Sequence, residues 1–274
     1  MVEVIDRMAD AISANVPTVD DEYVGEDGLL HCSVCHKKTQ TKINFLDNEK
    51  VVRCICDCRK KLRDAYEERL KQEELFRQKK ICFAETNMQN WTFENDDRKN
   101  PKISDAMQKY VSNFEDFKKI GKGLILHGTV GTGKTYYAAC IANKLIEKGH
   151  TVLMTNFARL VNHIQGMFEG KQEYIDSLNR YSLLIIDDLG TERKTEYVQE
   201  TVFNIIDARY RSGLPFIITT NLTSNELKKP EEIGYSRIYD RILERCFPVE
   251  VAGESRRRQN VVDTFGDVRE KLGL

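Results

Sequence analysis

Residues Gly128, Thr129, Val130, Gly131, Thr132, Gly133, Lys134 and Thr135 read Gly-x4-Gly-Lys-Thr, the residue types and spacing that cradle the phosphates of a nucleotide. Glycines let successive backbone N–H groups close around phosphate oxygens, and the start of a following helix adds partial positive charge. Lys134 has the reach for the β- and γ-phosphates, and the Thr135 hydroxyl is a ligand for Mg2+. The flanks supply the required context. Gly123-Leu-Ile-Leu-His127 reads as a short buried strand, and Thr135 to Lys148 carries Ala138, Ile141, Ala142, Leu145 and Ile146 at helical spacing.

A second constellation follows the first. Tyr181-Ser-Leu-Leu-Ile-Ile-Asp187-Asp188-Leu-Gly190 is an apolar run ending in two carboxylates. The run is continuous rather than alternating, which suits a central parallel strand covered on both faces. Its C-terminal end is where open α/β sheets bind ligands. Asp187 is the candidate for holding Mg2+ through water, and Asp188 for polarising the attacking water. Leu214-Pro-Phe-Ile-Ile-Thr-Thr-Asn221 is another strand ending in a polar residue. Asn221 is placed to orient water near a γ-phosphate, or serves only as a turn former. Arg237 and Arg241 lie four residues apart on one face of an expected helix. They are either fingers for the phosphoryl charge on a neighbouring subunit or exposed salt-bridging arginines.

Cysteines form the third constellation. Cys32-Ser-Val-Cys35 and Cys54-Ile-Cys56-Asp-Cys58 are separated by the interval a zinc ribbon needs for a hairpin. Lys42 to Leu46 and Lys50 to Arg53 would form that hairpin around the turn Asp47-Asn48-Glu49. Cys32 and Cys35 are the firmer ligand pair, and Cys54 with either Cys56 or Cys58 would complete a structural Zn2+ site. His31 and His36 are reserve ligands. Cys82, Cys140 and Cys246 read as small buried hydrophobes.

The elements that must position these groups follow from the rest of the chain. Its 274 residues suffice for one α/β domain and a smaller one. A formal net charge of −1 leaves nucleic-acid binding to local patches. No apolar stretch approaches membrane-spanning length. The N-terminus lacks a basic region followed by an apolar core, so it does not read as a secretory signal. With eight cysteines, the expected setting is a reducing one, the cytoplasm. The expected organisation is an N-terminal region over 1–60 with its metal segment at 28–59, a charged helical linker over 61–82, and a nucleotide-binding domain over 83–274. Strands at 123–127, 151–155, 183–187 and 214–221 alternate with helices at 135–148, 157–168 and 194–211, so the sheet should be mainly parallel.

From about Trp91 to Asn260 the chain resembles the AAA+ superfamily of P-loop ATPases, and within it the replicative helicase loaders of the DnaC/DnaI type, which share their ATPase core with IstB-like proteins. Gly128 to Thr135 matches Walker A, and Leu183 to Gly190 matches Walker B, with Asp188 where many AAA+ proteins have Glu. Asn221 matches sensor 1. Arg241, with Arg237 as the alternative, matches the arginine finger, and within the basic cluster Arg256 to Arg258 it is Arg257, or a neighbour one place away, that is similar to sensor 2. The chain ends soon after Arg258, so a full C-terminal lid is not expected. The resemblance implies an α/β AAA+ core with a small zinc-ribbon-like domain before it. It also implies slow, regulatory ATP hydrolysis at the interfaces of a self-associated assembly, and deposition of a hexameric replicative helicase on single-stranded DNA. Phe168, Thr195 and Tyr197 sit where such loaders contact the single strand; the other readings are core packing for Phe168 and helix capping for Thr195. Three alternatives remain: an IstB-like transposition helper acting with a transposase, a small-molecule P-loop kinase, and a scaffold that binds nucleotide without turnover.

Overall fold

The computed structural model describes residues 22–256 apart from 46, 47, 85, 194 and 231, together with 265, 268, 269, 271 and 272. The chain divides into two compact units, residues 1–74 and 75–274. The division falls inside one helix, α1 (Asp57–Phe83), within the stretch read from sequence as a charged linker. Arg257 lies outside the described residues, as does most of the chain after it, on which the expectation about a lid bears.

The first unit is built from two small antiparallel ribbons. β1 (Glu22–Val24) pairs with β2 (Leu30–Cys32), and β3 (Gln40–Phe45) pairs with β4 (Asn48–Arg53). The expected hairpin is present with a tighter connection than its turn residues implied. Asn48 and Glu49 already pair with Phe45 and Asn44. Such short strands bury little apolar surface, so other interactions must fix them. One is ionic: Glu22 accepts from Arg53 at 2.7 Å and from the buried Arg59 at 2.6 Å.

The second unit is a five-stranded, wholly parallel sheet. In chain order its elements are α2 (Pro101–Ser112), α3 (Phe114–Lys119), β5 (Gly123–His127), α4 (Lys134–Glu147), β6 (Val152–Asn156), α5 (Phe157–Gln165), α6 (Lys171–Ser177), β7 (Leu183–Leu189), α7 (Glu196–Ser212), β8 (Phe216–Thr220), α8 (Ser224–Lys228), α9 (Ile233–Arg245) and β9 (Cys246–Glu250). The sheet order is β6-β7-β8-β5-β9. β9 was not anticipated; Pro248 within it is tolerated because β9 is an edge strand, where one missing N–H leaves no ladder bond unmade.

The continuous apolar runs serve two cores at once. Leu183 and Ile185 of β7 face the cluster containing α2 and α4, and Leu184 and Ile186 face the cluster of α5, α7 and α9. β5 and β8 divide the same way, with Leu124, Leu126 and Ile217 on one side and Ile125, Phe216 and Ile218 on the other. Alternating polar residues would leave one face wet, so this sequence requires helices on both. Cys82, Cys140 and Cys246 are buried in this unit. No helix among the described residues is long and apolar enough to cross a membrane.

The N-terminal ends of β7 and β8 are tied by Arg209 of α7, which is 1% exposed. Its guanidinium donates to the carbonyl oxygens of Tyr181 (3.0 Å), Ser182 (3.3 Å) and Pro215 (2.7 Å). Burial pulls its pKa down to about 10. Arg209→Leu strands these carbonyls in the core, and we expect it to lower unfolding free energy by about 3–5 kcal/mol in urea titration.

Candidate functional site

Three adjacent parallel strands bring the sequence-predicted groups to one edge of the sheet. β5 leads into the glycine loop, Asn221 directly follows β8, and β7 carries Asp187 and Asp188. A cavity of about 430 Å3 lies there, lined by Gly131, Lys134, Thr135, Asp188, Asn221 and Arg256 among others.

The loop takes positive φ at Gly128 (141°), Gly131 (86°) and Gly133 (100°), a region closed to most side chains. Close approach by the segment after β9 adds a second demand. A Cβ at Gly128 would stand 2.6 Å from the Val251 carbonyl oxygen, and one at Gly131 would meet the Ser255 hydroxyl. Lys134 is 5% exposed, and its ammonium donates to the carbonyls of Gly128 (2.9 Å) and Thr129 (2.7 Å). Phosphate oxygens would be stronger, charge-assisted acceptors at the same place.

Thr135 donates to Asp187 Oδ1 at 2.9 Å, across 52 positions of sequence. Asp187 Oδ1 also accepts from the Thr219 hydroxyl at 2.5 Å. Burial raises the Asp187 pKa, and the neighbouring Asp188 charge pushes the same way. The hard oxygen donors of Thr135 and Asp187 fit Mg2+. β7 does not simply end in its carboxylates. Its pairing with β8 shifts between Ile186 and Leu189, and Asp188 sits at φ 58°, an uncommon conformation for a non-glycine residue.

Thr219 escaped sequence reasoning, and Arg256 belongs to the basic run Arg256 to Arg258 from which that reasoning singles out Arg257. Thr219 lies in Thr-Thr-Asn beside Asn221, a polar pair at a strand end that was itself the signal. Arg256 is the arginine of its cluster that lines the cavity. Its amide donates to Gly131 at 3.0 Å, and its guanidinium lies 3.1 Å from Asp97 and 5.7 Å from the Tyr137 ring centre. Trp91, Asn95 and Tyr136 form another wall. Asn143 and Tyr136 fasten it by donating to the carbonyls of Trp91 (2.9 Å) and Thr92 (2.7 Å).

Arg241 and Arg237 do not line this cavity. Arg241 packs between α9 and α7, with Nε 2.9 Å from Asp207 Oδ1 as an ion pair outside hydrogen-bond alignment, and its guanidinium 4.7 Å from the Phe203 ring centre. Arg237 is exposed. Phe168 is fully exposed, so it is not a core residue. Thr195 does cap α7, accepting the Val198 N–H at 3.3 Å. Tyr197 is 38% exposed, and Lys171 holds its ammonium 5.8 Å from that ring.

In the first unit, the thiols of Cys32, Cys35, Cys56 and Cys58 gather with all sulfurs within 4.8 Å of one another. Cys58 lies 3.5 Å from Cys32, 3.2 Å from Cys56 and 3.6 Å from Cys35. A tetrahedron with metal–sulfur bonds of about 2.3 Å has edges of roughly 3.8 Å, so four thiolates here fit Zn2+. The N–H groups of Cys35 and Val34 hold the Cys32 thiol down to about 6, stabilising the thiolate a metal needs. Cys54, expected as a ligand, is not in the cluster. It still belongs to the hairpin, its N–H donating to Thr39 at 2.8 Å and its thiol turned to the Lys38 carbonyl at 3.5 Å. α1 begins at Asp57, and that turn of the chain brings Cys56 and Cys58 to the knuckle. The histidines are committed elsewhere, His31 to Asp27 at 3.0 Å and His36 to Tyr23 at 3.2 Å.

Residues 37–264 match the family model described as IstB-like ATP binding protein. The chain is 28% identical over 217 residues to the replicative helicase loader DnaI of Bacillus subtilis (strain 168), covering 74% of this chain and 67% of that one. It is 27% identical over 158 residues to the replicative helicase loader DnaC of Escherichia coli (strain K12), covering 56% of this chain and 63% of that one. Matched segments thus span about two thirds of these relatives' own lengths. A crystal structure of DnaI superimposes with a TM-score of 0.54 at 27% identity, covering 66% of this chain and 99% of that one.

The cysteine geometry separates ligand from bystander. We expect metal analysis of the purified protein to give about one zinc per chain, retained in Cys54→Ser and lost in Cys56→Ser.

Proposed function

The chain belongs to the family of IstB-like ATP binding proteins, and from that premise we propose that it is an ATP-dependent loader of a replicative DNA helicase onto single-stranded DNA. The observation that carries this reading is an incomplete cavity. Lys134, Thr135, Asp188 and Asn221 line it, while Arg237 and Arg241 sit on α9 and do not. Arg256 lines the cavity from the same chain, but neither arginine of α9 reaches it, which supports hydrolysis at the interface between two copies, with a finger supplied in trans. The naming of two relatives as replicative helicase loaders supports the same role.

In this reading the loop N–H groups and Lys134 bind the β- and γ-phosphates. Thr135 and Asp187 would hold Mg2+, the latter through water, and the bound ion supplies neutralisation of phosphate charge. Asp188 accepts a hydrogen bond from the attacking water, and Asn221 orients it. Water adds to the γ-phosphorus as the bond to the bridging oxygen breaks, releasing ADP and phosphate. Arg256, already against the loop at Gly131, is the arginine we assign to nucleotide sensing in cis. Exposed Phe168 and Tyr197, the latter with Lys171 over its ring, offer base stacking and phosphate attraction to a single strand. The zinc-bearing N-terminal region, residues 1–60, is the docking module for the helicase.

Co-purification with the replicative helicase of the same source tests the role. The expected result is a stoichiometric complex that needs the N-terminal region, with single-strand binding that needs ATP and is lost in Lys134→Ala. Capture of a transposase and no helicase would move the role to transposition. A mixing assay tests the shared site. Lys134→Ala and Arg241→Ala should each be inactive, while an equal mixture should recover roughly a quarter of wild-type turnover, because one in four head-to-tail interfaces is then intact. If the Arg237→Ala mixture recovers turnover instead, Arg237 is the finger.

A further inference from the structure

We infer that Thr219 is a positioning residue of the nucleotide site, one buried hydroxyl that orients both acidic residues of β7 and, through Asp187, the hydroxyl of Thr135. This rests on the reading of the cavity as a site of Mg2+-dependent ATP hydrolysis.

Thr219 is 0% exposed and lies on β8, the strand between that of the glycine loop and that of the carboxylates. Its Oγ1 accepts the Asp188 N–H at 2.9 Å and donates to Asp187 Oδ1 at 2.5 Å. A hydroxyl carries one hydrogen, so the direction is fixed: Thr219 gives it to Asp187 and receives from Asp188. The same Oδ1 takes the hydrogen of Thr135. With its hydrogen committed to the carboxylate, Thr135 turns its lone pairs away from Asp187, which is the orientation a metal ligand requires.

Asp188 is the second dependent. The β7–β8 register shifts between Ile186 and Leu189, so the regular ladder is interrupted at Asp188. The Thr219 hydroxyl receives its N–H there and supports the φ of 58° that directs its side chain to the cavity. Removing the hydroxyl takes its acceptor from this part-buried N–H and should release the peptide. Thr220 supplies a control within the same strand. It too is 0% exposed, and its hydroxyl donates to the Leu189 carbonyl at 2.7 Å, yet it touches neither carboxylate.

The test compares Thr219→Val, Thr219→Ser and Thr220→Val in the full chain. Steady-state ATP turnover is measured, along with binding of a non-hydrolysable ATP analogue with Mg2+ and with EDTA. In Thr219→Val we expect kcat to fall about tenfold or more. The affinity gained from Mg2+ should shrink by about tenfold or more, with binding in EDTA unchanged. Thr219→Ser should restore both to within about threefold, since serine keeps the hydroxyl. Thr220→Val should lower thermal stability and leave both readouts near wild type. The inference is overturned if Thr219→Val keeps wild-type kcat and Mg2+ gain, or loses them only as far as Thr220→Val does. An unmodified chain that binds nucleotide but turns none over sinks the hydrolytic reading instead, and the Mg2+ gain then decides Thr219 alone.

Discussion

Parallel pairing of β5, β8 and β7 is the constraint on which the rest of the nucleotide-binding unit depends. Because the strands run the same way, their C-terminal ends emerge together, and the glycine loop, Asn221 and the two carboxylates share one edge of the sheet. Parallel strands need crossover helices, and those helices cover both faces. The same requirement explains why Leu183 to Ile186 is apolar throughout: each side chain goes to one of two cores. At the opposite edge, Arg209 collects the carbonyls that lead into β7 and β8.

Arginine illustrates how environment divides one residue type among tasks. Arg209 is sealed among main-chain carbonyls and acts as a structural tie. Arg256 lines the cavity between Asp97, Tyr137 and the glycine loop, where a phosphate would compete for its guanidinium. Arg241 packs beside Asp207 and Phe203, half-buried and away from the cavity. A planar, permanently charged fork suits all three settings; burial and neighbours set which one applies.

The first unit meets a different constraint. Its ribbons are three and six residues long, too short to be stable by apolar burial alone. Four thiols within 4.8 Å and the Glu22–Arg53–Arg59 ion pairs provide the remaining fixed points. Metal affinity for such a cluster is folding free energy for the segment that holds it.

Much of this was legible in the sequence because its chemistry is local. Gly128 to Thr135 declares its loop through glycines that must take positive φ and a lysine and threonine at fixed offsets. Cys32 and Cys35 declare a knuckle, and the apolar period of 135–148 declares a helix. What tertiary structure decided depends on register and on approach from distant segments. Cys56 and Cys58 join the cluster in place of Cys54 because the hairpin retains residue 54 and a helix begins at residue 57. Phe168, expected on a helix over 157–168, is exposed in the loop after α5, which stops at Gln165. Arg256 reaches the glycine loop because the segment after β9 folds back over it. Thr219 meets Asp187 across a bulge between neighbouring strands, and no spacing within one segment reports such a pairing. Sequence fixes which groups a segment can offer; the hydrogen-bonded register of non-adjacent strands fixes which of them meet.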